Sequence, residues 1–529
     1  MLTARNRTIF LALVVAAPFA LVQPAVGYPL LTDPLVRVSG ASPIAGCTLD
    51  GPQTGVLFEN SEVEPYVVVN PADPDGGGPL QAGDNVIAAW QQDRYSDGGS
   101  QGLVTASSFD GGATWTLNAA TKSSVCTGGT AANGGSYERA SDPWLAFTPD
   151  GVAYLMSLST IHEPQAGGFV NATTSAMLVM RSTDGGRSWE NPITLRRDDN
   201  PNVLNDKNSM TADPNDPDFA YAVWDRLVSP PGETPNQVAF ENSRAFAGPA
   251  WFSRTTNGGD TWEPARQIYK PGTLSQTIGN VIAVLPDNAT FNGELVDVFT
   301  LIRGASNRRG TRGFSIALIR SDDRGATWTK KEIIIDAFLR GIVVDPDDNQ
   351  PVRTGDINPE VAVNPTTGAL YVVWQDRRFG PRSSIAFSQS LDGGLTWSPT
   401  IKVNQTPTNI PLGNQQAFTP MVKVSADGTI GVNYYDFRNN PADPVVLGTD
   451  EFLAHCHPTT TTTCANPANW GSEVRLTDST FNMGDAPVAR GFFTGDYEGL
   501  DVDGTDFLPL WSMPHGNDPS SVFVRRATP

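Results

Sequence analysis

An acid followed by an arginine recurs four times in this chain, each time just after an aromatic residue. The copies are Trp90-Gln-Gln-Asp93-Arg94, Trp224-Asp225-Arg226, Trp374-Gln-Asp376-Arg377 and Tyr435-Asp436-Phe-Arg438. Arg303 takes the like position in one further unit, without the acid. Arginines that converge can hold a carboxylate through bidentate N–H···O pairs. We therefore regard Arg94, Arg226, Arg303 and Arg377 as candidate substrate-binding residues; the alternative is that each Asp and Arg only braces its own loop.

Other charged and phenolic residues occur once in the pattern, just before the predicted first strand of a unit. They are Glu64, Asp142, Asp206-Lys207-Asn208, Asp356 with Glu360, and Gly495-Asp496-Tyr497-Glu498. A residue that repeats in unit after unit usually serves the scaffold, so single occurrences are the better candidates for a site. The alternative is that they are core and rim residues at the opening of a buried strand.

Five copies of a short turn motif set the elements that must position these residues. The pattern is Ser/Thr-x-Asp-x-Gly-x-Thr/Ser-Trp, and Asn257 replaces Asp in the third copy. In chain order the copies begin at Ser108, Ser182, Thr255, Ser321 and Ser390. Asp bonds nearby backbone N–H groups, Gly supplies φ > 0, and Trp packs against the turn. The motif resembles the Asp-box of the sialidase-like β-propeller family, and a spacing of about 65–75 residues suits a four-stranded blade with long loops.

This resemblance and the strand pattern predict an all-β fold, a single β-propeller of four-stranded blades. Near-continuous apolar runs such as Leu370–Trp374 fit strands covered on both faces. Five units carry the motif and two more lack it, so we favour seven blades; six, as in the sialidases themselves, is the alternative. The last unit is one strand short, and an N-terminal strand, Leu35–Val38 or Val56–Phe58, would close the ring.

The resemblance also implies catalytic roles. Sialidases use a Tyr near the start of the final blade as nucleophile, activated by a Glu from another blade, and three arginines for the substrate carboxylate. By position in the repeat, Tyr497 would be the nucleophile, Glu360 or Glu498 its base, and Asp142 the acid. The family's N-terminal Arg-Ile-Pro motif is missing from this sequence, which puts the carry-over of the active site in doubt.

The N-terminus and the charge indicate export. Arg5 and Arg7 precede an apolar run from Ile9 to Val22, and a small-x-small site follows at Ala25–Gly27. We predict a signal peptide over residues 1–27, a mature propeller over 28–529, and no membrane span after its removal. A retained anchor is disfavoured by Pro18 and by the lack of a stop-transfer flank. The net charge of −20 disfavours nucleic acid and anionic membranes as partners.

Four cysteines, Cys47, Cys126, Cys456 and Cys464, allow three pairings in an exported chain. Cys456 with Cys464 would close a short loop, and Cys47 with Cys126 would tie the N-terminal segment to the first blade. The histidines of His455-Cys-His457 could instead be metal ligands, although no second group with zinc-like spacing accompanies them. No cofactor is required; structural calcium is an option at three acid-rich turns, Asp73–Asp75, Asp213–Asp218 and Asp345–Asp348.

Two functions are compatible with these features. The first is a secreted, sialidase-like glycoside hydrolase acting on glycans. The second is a non-catalytic propeller that binds a glycan or a protein at the cell surface, because Asp-box turns also occur in propellers without sialidase activity. In either case we expect a monomer.

Overall fold

The computed structural model describes residues 30–49, 53–72, 83–164, 170–229, 247–304, 313–459 and 463–529. The predicted signal peptide and the Asp73–Asp75 turn lie outside the described residues. Within them the fold is all-β, and the helices are four single 3₁₀ turns: Val125–Thr127, Leu412–Asn414, Pro467–Asn469 and Met483–Asp485. No helix in the described ranges has the length and apolarity needed to cross a bilayer.

The strands follow one another as antiparallel groups, usually of four. Two short strands come first, β1 (Leu31–Thr32) and β2 (Val36–Arg37). The next three groups are β3 (Leu57–Val69), β4 (Asn85–Tyr95), β5 (Ser100–Phe109) and β6 (Thr116–Asn118); β7 (Arg139–Phe147), β8 (Ala153–Pro164), β9 (Val170–Ser182) and β10 (Ile193–Asp198); and β11 (Val203–Ala212), β12 (Phe219–Val228), β13 (Ala250–Thr256) and β14 (Arg266–Tyr269).

A two-stranded insertion separates the fourth group from the fifth. The fourth group is β15 (Gln276–Val284), β16 (Leu295–Arg303), β17 (Gly313–Ser321) and β18 (Ile333–Ala337). The insertion is a hairpin of β19 (Val343–Val344) and β20 (Pro351–Val352), which the repeat pattern did not predict. The fifth group is β21 (Glu360–Val363), β22 (Leu370–Asp376), β23 (Ser384–Ser390) and β24 (Ile401–Lys402).

The last groups bring the two ends of the chain together. The sixth is β25 (Ala417–Val424), β26 (Ile430–Asp436), β27 (Gly448–Cys456), β28 (Ser472–Arg475) and β29 (Phe481–Asn482); the last is β30 (Gly499–Asp503), β31 (Asp506–His515), β32 (Asp518–Val524) and β33 (Ala527–Thr528). N-terminal β2 pairs antiparallel with β32, and β1 with β33. Val56–Phe58, the other strand considered for this place, instead leads into β3.

The first strand of each group, called here an inner strand, contacts the inner strand of the next group. These contacts run from β3 through β7, β11, β15, β21 and β25 to β30, and β30 also contacts β3. The inner and second strands are almost wholly buried, since neighbouring groups cover both faces of each sheet. Both disulfide bonds considered from the sequence are present, Cys47–Cys126 and Cys456–Cys464.

The five motif turns share one set of hydrogen bonds. In the first, the Ser108 hydroxyl donates to Asp110 over 2.7 Å and accepts from Gly112 N over 2.9 Å, and Thr114 N donates to the same carboxylate over 2.8 Å. The same donors and acceptors recur in the other four copies. The Asp side chains, and Asn257 in the third copy, are therefore hydrogen-bonded within their own turns, as the motif predicted.

Arginines tie neighbouring groups together at these turns. Arg181 donates to Gly258 O of the next group's turn over 2.8 Å, and Arg254 and Arg320 likewise reach the turns that follow theirs. Arg526, in the last group, donates to Gly111 O of the first over 3.0 Å and pairs with Asp503 and Asp506. The last-to-first junction thus has the same kind of tie as the internal ones.

Arg526→Ala is expected to lower the free energy of unfolding by about 1–3 kcal/mol. The substitution removes two partly buried ion pairs and a hydrogen bond to a backbone carbonyl. Urea denaturation followed by tryptophan fluorescence measures the change. Arg303→Ala is the control, since the Arg303 side chain is 56% exposed where it pairs with Glu332, and its loss should change stability by less than about 1 kcal/mol. Equal changes in the free energy of unfolding for the two substitutions would mean that Arg526 stabilises the fold no more than an exposed arginine does.

Candidate functional site

A cavity of about 430 Å³ lies at the end of the molecule where the inner strands begin. Its polar lining comes from four different places in the chain: the start of β11, the hairpin insertion, the segment before β21 and the segment before β30. The charged residues of this lining are Asp206, Lys207, Arg340, Arg353, Asp356, Arg490 and Asp496. A side pocket of about 40 Å³ shares Asp206, Lys207 and Arg353 with the cavity and is also lined by Arg94, Asp142 and His162.

A bulge near the start of three inner strands presents the charged side chains. The register of the pairing to the second strand shifts around Glu64, Asp142 and Lys207. These three residues have φ of 51°, 52° and 47°, a left-handed conformation that non-glycine residues adopt at a cost of order 1–2 kcal/mol. Bulges of this kind re-aim side chains next to active sites, and here the three side chains meet.

Lys207 is the centre of the charge cluster. Its ammonium lies 2.6 Å from Asp496 Oδ2, 3.3 Å from Asp142 Oδ2 and 3.6 Å from Glu64 Oε1, and its side chain is only 12% exposed. Arg353 binds Asp496 from the other side with both Nε, at 3.0 Å, and Nη2. One carboxylate is thus shared by two cations, and one ammonium is shared by three acids.

Burial and the neighbouring charges shift the pKa values of the carboxyl groups at the cluster in opposite directions. Burial favours a neutral Asp496, but Arg353 and Lys207 outweigh it and hold the pKa of Asp496 well below its usual range. Burial raises the pKa of Asp206 to about 6, although Lys207 opposes the change, and burial together with Asp142 raises that of Glu64 to about 8. One cavity therefore faces a permanent carboxylate at Asp496 and a carboxyl at Asp206 that can carry a proton near neutral pH.

Two of the residues to which the resemblance or the arginine signature gave a role, Asp142 and Arg94, lie at this cluster, together with Glu64, Asp206, Lys207 and Asp496, which the sequence named without a role. The Arg94 guanidinium donates to Gln91 over 2.7 Å and lies over the Phe493 ring, and burial lowers its pKa to about 10, so it stays cationic at neutral pH.

The other three predicted arginines are not brought together with Arg94. Arg226 pairs with Asp198 at 2.8 Å, Arg303 pairs with Glu332, and Arg377 is exposed. The acids of the acid–arginine signature serve neighbouring loops: Asp376, for example, accepts from Trp374 Nε1 and from Arg378. A clamp made by the four signature arginines is therefore not assembled, because strand geometry turns these side chains toward local partners.

The three other predicted catalytic residues each have different surroundings. Tyr497 is buried, its hydroxyl donates to Pro143 O over 2.9 Å, and its ring packs on Trp144 and Tyr66. Glu498 is fully buried and accepts from Ser512 N. Glu360 lines a second cavity, of about 310 Å³, at the opposite end of the inner strands.

The sequence reasoning missed the arginines of the main cavity. Arg340 and Arg353 flank the β19–β20 hairpin, and Arg340 binds Asp356 through Nε at 2.5 Å and Nη2 at 3.0 Å. They follow no repeat pattern. The one signal for them was the extra length between the fourth motif and the next first strand.

The acid-rich turns considered for calcium are held by ordinary hydrogen bonds where they are described. Asp213 accepts from Asn215 N at 2.9 Å and from the Tyr221 hydroxyl at 2.7 Å. Within the described ranges, no three His, Cys, Asp or Glu side chains form a metal-binding group.

Comparison with known proteins gives distant structural likenesses. No family model matches the chain, and no curated protein matches it. An α-L-arabinofuranosidase from Fusarium graminearum shares 13% identity over 94% of this chain and 97% of its own, with a TM-score of 0.44. An intramolecular trans-sialidase from Ruminococcus gnavus shares 14% over 89% and 95% (TM-score 0.38), and a Dyadobacter fermentans protein of unknown function 15% over 90% and 97% (0.42).

Proposed function

We propose that residues 28–529 form one seven-bladed β-propeller of the sialidase-like, Asp-box kind, exported and monomeric. The seven inner strands that contact one another in sequence, with β30 against β3, support the blade count. The pairing of β2 with β32 supports closure by an N-terminal strand. The two disulfide bonds are consistent with an oxidising, extracytoplasmic location.

The site is best suited to hydrolysing glycosidic bonds in glycans. The observation that carries this proposal is that Asp206 and Asp496 line one cavity with their pKa values pushed in opposite directions. Glycoside hydrolases generally need one carboxyl that can donate a proton and one that stays ionised. Two carboxyl groups of one pocket whose pKa values are shifted in opposite directions are candidates for the general acid and its ionised partner.

The chemistry would proceed as follows. Asp206 donates its proton to the glycosidic oxygen as the bond from that oxygen to the anomeric carbon breaks. Asp496 faces the positive charge that develops on the sugar ring and stabilises it. A water oxygen then bonds to the anomeric carbon, and its proton returns to Asp206. Arg340, Arg353 and Arg490 would favour an acidic sugar, as in an exo-sialidase-like reaction, in a chain whose net charge of −20 otherwise repels anions.

One observation favours the second function, a propeller that binds an acidic glycan without cleaving it. Asp496 is already bound by two cations, Arg353 and Lys207. A carboxylate held so firmly is a weak nucleophile or base. Binding without turnover is the outcome that this alternative predicts.

Purified mature protein assayed on a panel of aryl glycosides, including a sialoside and an arabinofuranoside, tests the choice. Turnover of one of them, kept by Glu360→Gln at the other end of the molecule, supports the hydrolase. If no sugar is cleaved and a glycan array still shows binding, the second function holds. Neither cleavage nor binding would overturn both.

A single substitution tests whether Tyr497 is the nucleophile. Tyr497→Phe removes a hydroxyl that donates to Pro143 O, so we expect turnover to change by less than about 2-fold and stability by about 1 kcal/mol. The measurements are kcat on the best substrate of the panel and the midpoint of urea denaturation. A fall of about 10³-fold in kcat with little change in stability would restore Tyr497 as the nucleophile.

A further inference from the structure

Two fully buried carboxyl groups interact electrostatically where the sixth and last groups of strands meet, and neither of them lines the cavity. Glu451 lies on β27 and Glu498 immediately precedes β30, and both are 0% exposed. In the described part of the chain neither forms a salt bridge, and one oxygen of each, Glu451 Oε2 and Glu498 Oε1, has no hydrogen-bond partner. Two uncompensated acids in an apolar interior are costly unless they are neutral or bind a cation.

Tyr435 and its partner Ser512 connect the two acids. It is the cross-strand partner of Glu451 in the β26–β27 pairing, and its hydroxyl donates to Ser512 O over 2.6 Å. Glu498 accepts from the amide of the same Ser512 over 3.2 Å. Both charges act on the Tyr435 phenol, and burial together with the charge of Glu451 raises the pKa of Glu498.

A neutral oxygen is also directed to this place. Asn433 is 0% exposed, and its amide nitrogen donates to Glu451 Oε1 over 2.8 Å. Its Oδ1 has no partner among the described residues. The amide is therefore anchored beside Glu451 by one end, with its other end unsatisfied.

We propose that Glu451, Glu498 and the Asn433 amide oxygen bind a calcium ion that joins β27 to the start of β30. All three are hard oxygen ligands, and calcium accepts carboxylate and amide oxygens together with water in a flexible coordination shell. Two carboxylates would balance the charge of one divalent cation. Bound calcium would fasten the last group of strands to the sixth, close to where the chain ends meet.

Metal analysis of the wild-type protein tests the proposal directly. After purification with calcium and removal of excess metal, mass spectrometry should find about one calcium per chain. The midpoint of thermal unfolding should fall by roughly 3 °C or more in excess chelator relative to excess calcium, because the ion binds only the folded state. Calcium-free protein with the same midpoint in chelator and calcium would overturn the proposal and mean that the carboxyl groups are protonated.

Variants separate the site from general damage. Glu498→Gln and Glu451→Gln keep the side-chain shape and should each lose the bound calcium and the chelator effect. The control is Glu62→Gln, another 0%-exposed acid, whose carboxylate already accepts from Ser39 at 3.0 Å and from Gln92 at 2.8 Å; it should keep about one calcium. If a variant does not fold, the wild-type measurements still decide, and a Glu498→Gln protein that retains full calcium would overturn the assignment.

Discussion

Asp206→Asn is expected to lower kcat/KM by about 10²–10⁴-fold on a substrate with a poor leaving group, which is the range for losing a general acid. The wild-type rate should decline as the pH rises through about 6, because the acid acts only while protonated and burial sets the pKa of Asp206 near that value. The variant should lose this alkaline limb. The measurement is a pH profile of kcat/KM for both proteins.

The leaving group provides the internal control for this prediction. A dinitrophenyl glycoside departs without help from a proton, so the same variant should lose far less activity on it. Asp356→Asn is the matched control on the cavity wall: Asp356 is bound by Arg340 at 2.5 Å and 3.0 Å, and its loss should weaken substrate binding without removing the alkaline limb. An equal loss on both leaving groups would mean that Asp206 is not the acid.

Lys207→Met is expected to lower the free energy of unfolding by about 3–5 kcal/mol at pH 7, because buried carboxylates lose their shared counter-charge. Burial disfavours the Lys207 cation, but Asp142 and Asp496 outweigh it and raise the pKa of Lys207 well above its usual range. Lys207 is therefore charged at both pH 5 and pH 8, and its own titration changes stability only above the unfolded pKa of lysine. Urea denaturation at pH 5 and pH 8 gives the difference, and the deficit should shrink at the lower pH because the carboxyl groups can then take up protons.

Lys423→Met is the control for Lys207. Lys423 is a more exposed lysine at the other end of the inner strands, 3.4 Å from Asp501, and its loss should change stability by less than about 1 kcal/mol. A Lys207→Met protein as stable as this control at both pH values would mean that the cluster is not held together by its charges.

Much of the strand pattern could be predicted from the sequence, because it depends on local properties. The apolar run Leu370–Trp374, expected to be a strand covered on both faces, lies within the buried strand β22. Such a continuous apolar run reports burial directly. The β19–β20 hairpin was not predicted because its two-residue strands carry no such pattern.

The candidate site was predictable only in part. The positions just before the first strands held Glu64, Asp142, Asp206 and Asp496, which the structure places around Lys207 or the cavity. Apart from Arg94, the arginines of the acid–arginine signature lie elsewhere, because Arg226 and Arg303 pair with local acids. Glu360 showed the limit of this approach: it opens β21, yet its side chain lines the cavity at the opposite end.

The sequence by itself determined the classes of element, buried strands and locked motif turns, because both depend on residues near one another in the chain. The tertiary structure alone decided which acids share Lys207, which arginines line the cavity and which carboxyl groups are left without a partner. Those outcomes depend on left-handed bulges and on contacts between residues as far apart as Glu64 and Asp496. Electrostatic coupling falls off over a few ångströms, so it is set by the final packing and not by the order of residues.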